Sequence, residues 1–244
     1  MEQNTVKKEP LGKGFFVNVS KNHTFGTDAI LLSNFASASK KDKMVDLGTG
    51  CGIIPLLMLR DGLLRSATGV DISDEATALA AQTAKELNLD KFSVICADLN
   101  DLKGKIDFGC HTLITCNPPY KALGAGIMSS GERDKAARHE TECTLEDIIR
   151  VSSKLLQTSG RLCMCHRPER LAEMFDLMRE YKLEPKRLRL VCQRVGEEPW
   201  LVLVDAKKCA NTGLRIAPTL YIEQDGELSK EMVEIYGSYK EAYL

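Results

Sequence analysis

Met44–Leu59 reads Met-Val-Asp-Leu-Gly-Thr-Gly-Cys-Gly-Ile-Ile-Pro-Leu-Leu-Met-Leu, and this stretch decides the fold. Met44, Val45 and Leu47 form a short apolar run ending in a glycine turn, Gly48-Thr49-Gly50-Cys51-Gly52. An apolar segment from Ile53 follows at helical length, with Pro55 in a first turn where its missing N–H costs little. Strand, glycine turn and helix in succession bring backbone close to a ligand at a helix N-terminus. A dinucleotide fingerprint requires Gly-x-Gly-x-x-Gly/Ala, and counting from Gly48 places Ile53 at the last position, a misfit.

Working outward, three further strands end in a polar residue. Ala67–Val70 leads to Asp71, 19 residues beyond Gly52, about where α/β nucleotide folds place a carboxylate for ribose hydroxyls. A carboxylate can accept from both hydroxyls. The plainer reading of Asp71 is the cap region of the next helix, for which Ser73 and Asp74 are better placed. Phe92–Cys96 leads to Ala97-Asp98, and Asp98 can accept from an adenine amino group. Ile72 and Leu99, beside these acids, join the candidate cofactor-binding set with Asp46, Gly48, Gly50, Gly52, Asp71, Asp98, Asn117 and Thr27.

The fourth strand, Leu113–Cys116, runs into Asn117-Pro118-Pro119-Tyr120. Two prolines fix φ and remove two donors, and each pushes its predecessor towards extended geometry. The corner is stiff and offers acceptors, the Asn117 side-chain oxygen and the Pro118 carbonyl, beside an aromatic face. It suits a planar group bearing an NH2. The plainer alternative is an ordinary proline turn. Against it stands the convergence of four strand ends on one edge, where open α/β sheets hold ligands.

Elsewhere, Phe15–Val19 has strand character, and Thr27 or Asp28 can cap a helix burying Ile30, Leu31 and Phe35; Asp28 is either that cap or a ligand contact. Lys121–Cys143 is polar and aperiodic, either a substrate-facing flap or a solvated loop. Thr144 and Asp147 have capping-box spacing ahead of a helix. Gly160–Cys165 reads as a fifth strand, and Pro168 opens a helix with Leu171, Met174, Phe175 and Met178 inward. Leu188–Val195 and Trp200–Asp205 read as a hairpin. Lys182, Lys186, Arg187 and Arg189 gather before it, either a phosphate-binding patch or a solvated face.

The chain has 244 residues, 43% hydrophobic and 27% charged, with a net charge of -1, within reach of one large α/β domain. That balance exerts no overall pull on nucleic acid, which leaves such binding to local patches. Nine cysteines in no zinc spacing, mostly in apolar runs, fit buried thiols in a reducing cytoplasmic setting rather than a disulfide framework. No signal peptide and no membrane-spanning run is found, and neither a metal site nor membrane association is expected.

Asp46 ahead of the glycine run resembles the first motif of class I S-adenosylmethionine-dependent methyltransferases, in which the glycines admit the methionine end of the cofactor. With Asn117–Tyr120, the chain resembles the Asn-Pro-Pro-Tyr amino methyltransferases. It is most similar to the bacterial valine-tRNA adenine-37 N6-methyltransferase family, also through Phe25–Ala29, Arg138-His139-Glu140, Pro199–Val204 and Ile235–Gly237. The resemblance implies an α/β, Rossmann-like class I methyltransferase fold. Its sheet is seven-stranded and mostly parallel, with helices on both faces and a C-terminal antiparallel hairpin. It further implies an N-terminal extension with a short hairpin over residues 1–24, a methyltransferase domain over 25–244, and a monomer.

It also implies S-adenosyl-L-methionine as cofactor, tRNA (its anticodon arm) as partner, and a catalytic set of Asn117, Pro118, Pro119 and Tyr120. There Asn117 and Pro118 accept both N–H bonds of the amino group, so that its lone pair turns towards the methyl, and Tyr120 stacks on a base turned out of its stack. Three rivals stand beside it. Glutamine N5-methyltransferases of release factors use the same corner but carry a helical domain ahead of it, for which the segment before Phe25 is short. A DNA adenine methyltransferase needs a target-recognition insertion larger than Lys121–Cys143. A non-catalytic nucleotide- or RNA-binding module would not require the intact corner.

Overall fold

The computed structural model describes residues 5–118, 143–237 and 239. Five strands build its parallel part: β3 (Lys43–Leu47), β4 (Ser66–Asp71), β5 (Phe92–Cys96), β6 (His111–Cys116) and β7 (Leu156–His166). The order β7-β6-β3-β4-β5 makes the chain leave β3 in one direction and return on its other side at β6. A crevice opens at such a reversal, at the carboxyl ends of the strands.

β8 (Leu183–Cys192) and β9 (Pro199–Lys208) form the expected hairpin, and β9 lies antiparallel between β7 and β8. The seven expected strands are thus present. Two more of two residues each, β10 (Arg215–Ile216) and β11 (Leu220–Tyr221), pair parallel to β8 and extend the sheet to nine.

Alternation along the strands divides the core. Met44, Leu113, Cys163 and Leu203 pack on one face with α1 (Thr27–Phe35) and α2 (Ile53–Arg60); α3 (Asp74–Glu86) adds Ala80 there. Val45, Ile114, Met164 and Val204 pack on the other with α4 (Leu145–Leu155) and α5 (Leu171–Glu180). The N-terminal hairpin, β1 (Lys7–Gly12) and β2 (Phe15–Val19), buries Leu11, Val17 and Val19 in the first of these clusters. A last helix, α6 (Lys230–Tyr236), follows a small antiparallel pair, β12 (Glu223–Gln224) and β13 (Glu227–Leu228).

Two local expectations change. Gly26, rather than Thr27 or Asp28, is the N-cap of α1, with no side-chain cap; Asp28 Oδ1 accepts instead from the Ala29 N–H at 2.9 Å. The strand expected from Leu188 begins at Leu183, so Lys186, Arg187 and Arg189 lie within β8 and Lys182 just before it. The Thr144–Asp147 capping box forms as expected, and both reciprocal bonds are 3.1 Å.

Candidate active site

Register places the site residues. Leu47 of β3 is opposite Val70 of β4 and Cys116 of β6. The next residue on each strand, Gly48, Asp71 and Asn117, therefore emerges at one edge, and Asp71 opposite Cys96 carries that edge on to Asp98. The amides of Gly48 and Thr49 both donate to the Val70 carbonyl, at 2.9 and 3.0 Å, which folds the glycine turn down onto β4. Gly69 permits this approach: a Cβ there would lie 2.8 Å from Thr49 Cγ2. A glycine inside a strand pattern is the signal for such a close approach, and the sequence reading passed over it.

Asp71 is the hinge pin of the turn. Its Oδ2 accepts from Gly50 N–H at 2.8 Å and its Oδ1 from Ser73 N–H at 2.9 Å. Ser73 itself is the N-cap of α3, and Asp71 holds the amide of that cap residue. Each carboxylate oxygen keeps a free lone pair after one bond, so Asp71 can still take two hydroxyl donors.

Two cavities of about 400 Å³ each have Gly48 in their lining. The first is lined by Asp71, Ile72, Asp98 and Leu99, by Leu145 and Ile148 of α4, and by Pro118. Ile72 is 45% exposed, an apolar flat at the cavity mouth. His23, His166 and Arg170 also border this cavity; separate elements bring them, and no local pattern marks them in the sequence. The second cavity is lined by Phe25, Gly26, Asp28, Gly48, Gly50 and Asn117. Pro118 belongs to the lining of the first cavity and Asn117 to that of the second, and both follow β6 at the carboxyl edge of the sheet.

Three candidate cofactor residues support the site from beneath instead of lining either cavity. Asp46 is 1% exposed; Thr115 donates to its Oδ1, and burial pushes its carboxyl up to about 7. Its Oδ2 and Thr49 Oγ1 lie near each other, but neither makes a hydrogen bond of ordinary geometry. Gly52 has φ 85°, and a Cβ there would meet Ala80 and Phe92 at 3.2 Å, so it lets α2 begin against α3 and β5. Thr27 pairs its hydroxyl with Tyr236 at 3.1 Å. Pro119, Tyr120 and the Lys121–Cys143 stretch up to residue 142 lie outside the described residues. Cys143 lines the first cavity, and burial pushes its thiol up to about 12.

Most cations of the basic stretch are engaged internally. Arg187 stacks over Phe35 at 4.0 Å and reaches Asp205, which also pairs with Arg161 at 3.0 Å. Arg189 pairs with Glu231 at 2.6 Å, and Lys186 donates to the Asn211 and Thr212 carbonyls. Among the described residues, no cluster of His, Cys, Asp and Glu could hold a metal ion.

The methyltransferase small domain family matches residues 18–182. A tRNA1(Val) (adenine(37)-N6)-methyltransferase of Parabacteroides distasonis is 29% identical over 214 residues, covering 84% of this chain and 89% of that protein. Its namesake in Pectobacterium carotovorum is 30% identical over 203 residues, covering 78% of each. Among solved structures, a predicted O-methyltransferase from Agrobacterium tumefaciens superposes with a TM-score of 0.68 at 20% identity, covering 87% of this chain and 97% of that one. A geranyl diphosphate C-methyltransferase from Streptomyces coelicolor, in complex with S-adenosyl-L-homocysteine, gives 0.54 at 16% identity, covering 74% and 79%. At these identities the two structures establish the fold.

Proposed function

The chain belongs to the methyltransferase small domain family, and from that membership we propose that it methylates N6 of an adenine in tRNA, as its relatives' names indicate for position 37 of a valine tRNA. S-adenosylmethionine supplies the methyl group, carried on a positively charged sulfur. The observation that supports this most is the pair of cavities that share Gly48 in their linings, one including Asp71 and the other Asn117. A nucleoside joined to an amino acid is the shape such a pair accommodates.

In this reading Asp71 takes the ribose hydroxyls with its remaining lone pairs. Ile72, Asp98 and Leu99 border the adenine, with Leu145 and Ile148 closing the slot from α4. The glycine turn and Asn117 border the amino-acid end.

The target nitrogen is a weak nucleophile because its lone pair is delocalised into the ring. Asn117 Oδ1 and the Pro118 carbonyl accept its two N–H bonds and draw it towards a tetrahedral shape. Holding the two reactants in line supplies much of the barrier reduction. No strong base is required beforehand, since the nitrogen becomes acidic only once alkylated and its proton can then pass to water. The glutamine-directed alternative has no support from the relatives described above, which are named for tRNA.

The test is incubation with labelled methyl donor and separate pools of tRNA, DNA and protein. Label is expected in tRNA, and label appearing only in protein or DNA would overturn the reading. Asn117→Ala should abolish transfer while cofactor affinity stays within about threefold, because the nucleoside contacts of Asp71 and its neighbours are kept and at most one contact at the amino-acid end is lost.

A further inference from the structure

Cys165 plays no part in the chemistry above, yet it touches the residue at the centre of it. In the parallel pairing of β6 and β7, Cys116 stands opposite Met164. One step further along, Asn117 and Cys165 are neighbours, and the Cys165 thiol donates to Asn117 Oδ1 with Sγ and oxygen 3.0 Å apart. Cys165 is fully buried on the α1 face of the sheet. Burial first, and then the nearby Asp28 carboxylate, push its thiol well above the ordinary range, so the S–H hydrogen is retained through neutral pH.

An asparagine amide ends in two groups of nearly equal size, an acceptor oxygen and a donor NH2, and its hydrogen-bond surroundings decide which faces where. Methyl transfer to an amine requires the oxygen. With the amide turned over, NH2 would meet NH2 and the corner would repel the group it must hold.

We propose that Cys165 is a positioning residue, whose thiol fixes the Asn117 carboxamide with its oxygen as the acceptor for the target amino group. A carbonyl oxygen has two lone pairs, so the bond from the thiol leaves one for the substrate. A thiol is a weak donor and also a weak acceptor, so the bias it imposes is a modest one, on the order of the three- to tenfold typical of one neutral hydrogen bond.

The inference rests on the methyltransferase reading, and the experiment separates the two. Transfer of label to tRNA by the unmodified protein is measured first; its absence defeats the functional reading itself. With that activity in hand, kcat, KM for tRNA and cofactor affinity are compared for Cys165→Ala, Cys165→Val and Cys165→Ser. Valine refills the space that alanine leaves empty while still lacking a donor, so the comparison survives if the alanine variant folds poorly. The expected result is a kcat about three- to tenfold lower for alanine and valine, unchanged KM and cofactor affinity, and recovery in serine. A purely packing role predicts the opposite ranking, because a hydroxyl in that apolar site costs more than a methyl group. Equal kcat in all four proteins, or serine as impaired as valine, overturns the proposal.

Discussion

Asp46→Asn should stabilise the protein at pH 8 far more than at pH 5. The wild-type carboxyl is buried beneath the glycine turn with the Thr115 hydroxyl on one oxygen, and burial raises it from 3.8 to about 7. The folded chain therefore holds this proton more tightly than the unfolded chain does. Between about pH 4 and pH 7 the native state binds the extra proton, so wild-type stability falls as pH rises across that interval and levels off above it. At 1.36 kcal/mol per pH unit, the interval from 3.8 to about 7 amounts to about 4 kcal/mol. Asparagine keeps the shape and the acceptor for Thr115 but carries no proton to lose. The assay is urea unfolding of both proteins at several pH values, read as the difference in unfolding free energy. That difference should grow by several kcal/mol from pH 4 to pH 8, with most of the change complete by about pH 7. A constant difference would refute the reasoning, since it would mean that the acid titrates alike in both states.

Asp71→Ala removes the acceptor for Gly50 and Ser73 as well as the proposed ribose contact, so calorimetry should show cofactor affinity falling at least tenfold; an unchanged affinity would remove Asp71 from the site. Gly52→Ala places a Cβ at 3.2 Å from Ala80 and Phe92 on a backbone with φ 85°, and thermal unfolding should show a loss of about 1–3 kcal/mol.

The strand ends were legible because each is announced locally. Asp71, Asp98 and Asn117 each follow a strand run, and the common parallel direction of those strands sets the edge they reach. What a motif does not reveal is depth. Asp46, Gly52 and Thr27 occupy motif positions, yet they brace the turn and α1 instead of lining a cavity, and only packing distinguishes a wall from its footing. Lys186 and Arg187 look like loop residues because Pro185 and their charges interrupt the strand pattern. Carbonyls and Asp205 supplied from distant segments are what let them sit in β8. The two-residue strands β10 and β11 carry no signal of their own, because pairing to β8 alone defines them. His23 reaches the same cavity as His166 and Arg170, which lie at and just after the end of β7, a long-range juxtaposition that spacing cannot encode.

The placement of β9 carries a consequence for how the molecule is made. This strand is synthesised after β8 but lies inside it, between β8 and β7. Until residue 208 has left the ribosome, β7 exposes an open row of amides and carbonyls, and the nascent chain carries a template for the wrong neighbour. The crevice end of the sheet, from β5 to β7, can assemble early from short-range crossovers, while closure of the far side waits for a segment that must wedge in from the solvent. Ribosome-bound chains halted before Pro199 should therefore be the species that most need a chaperone.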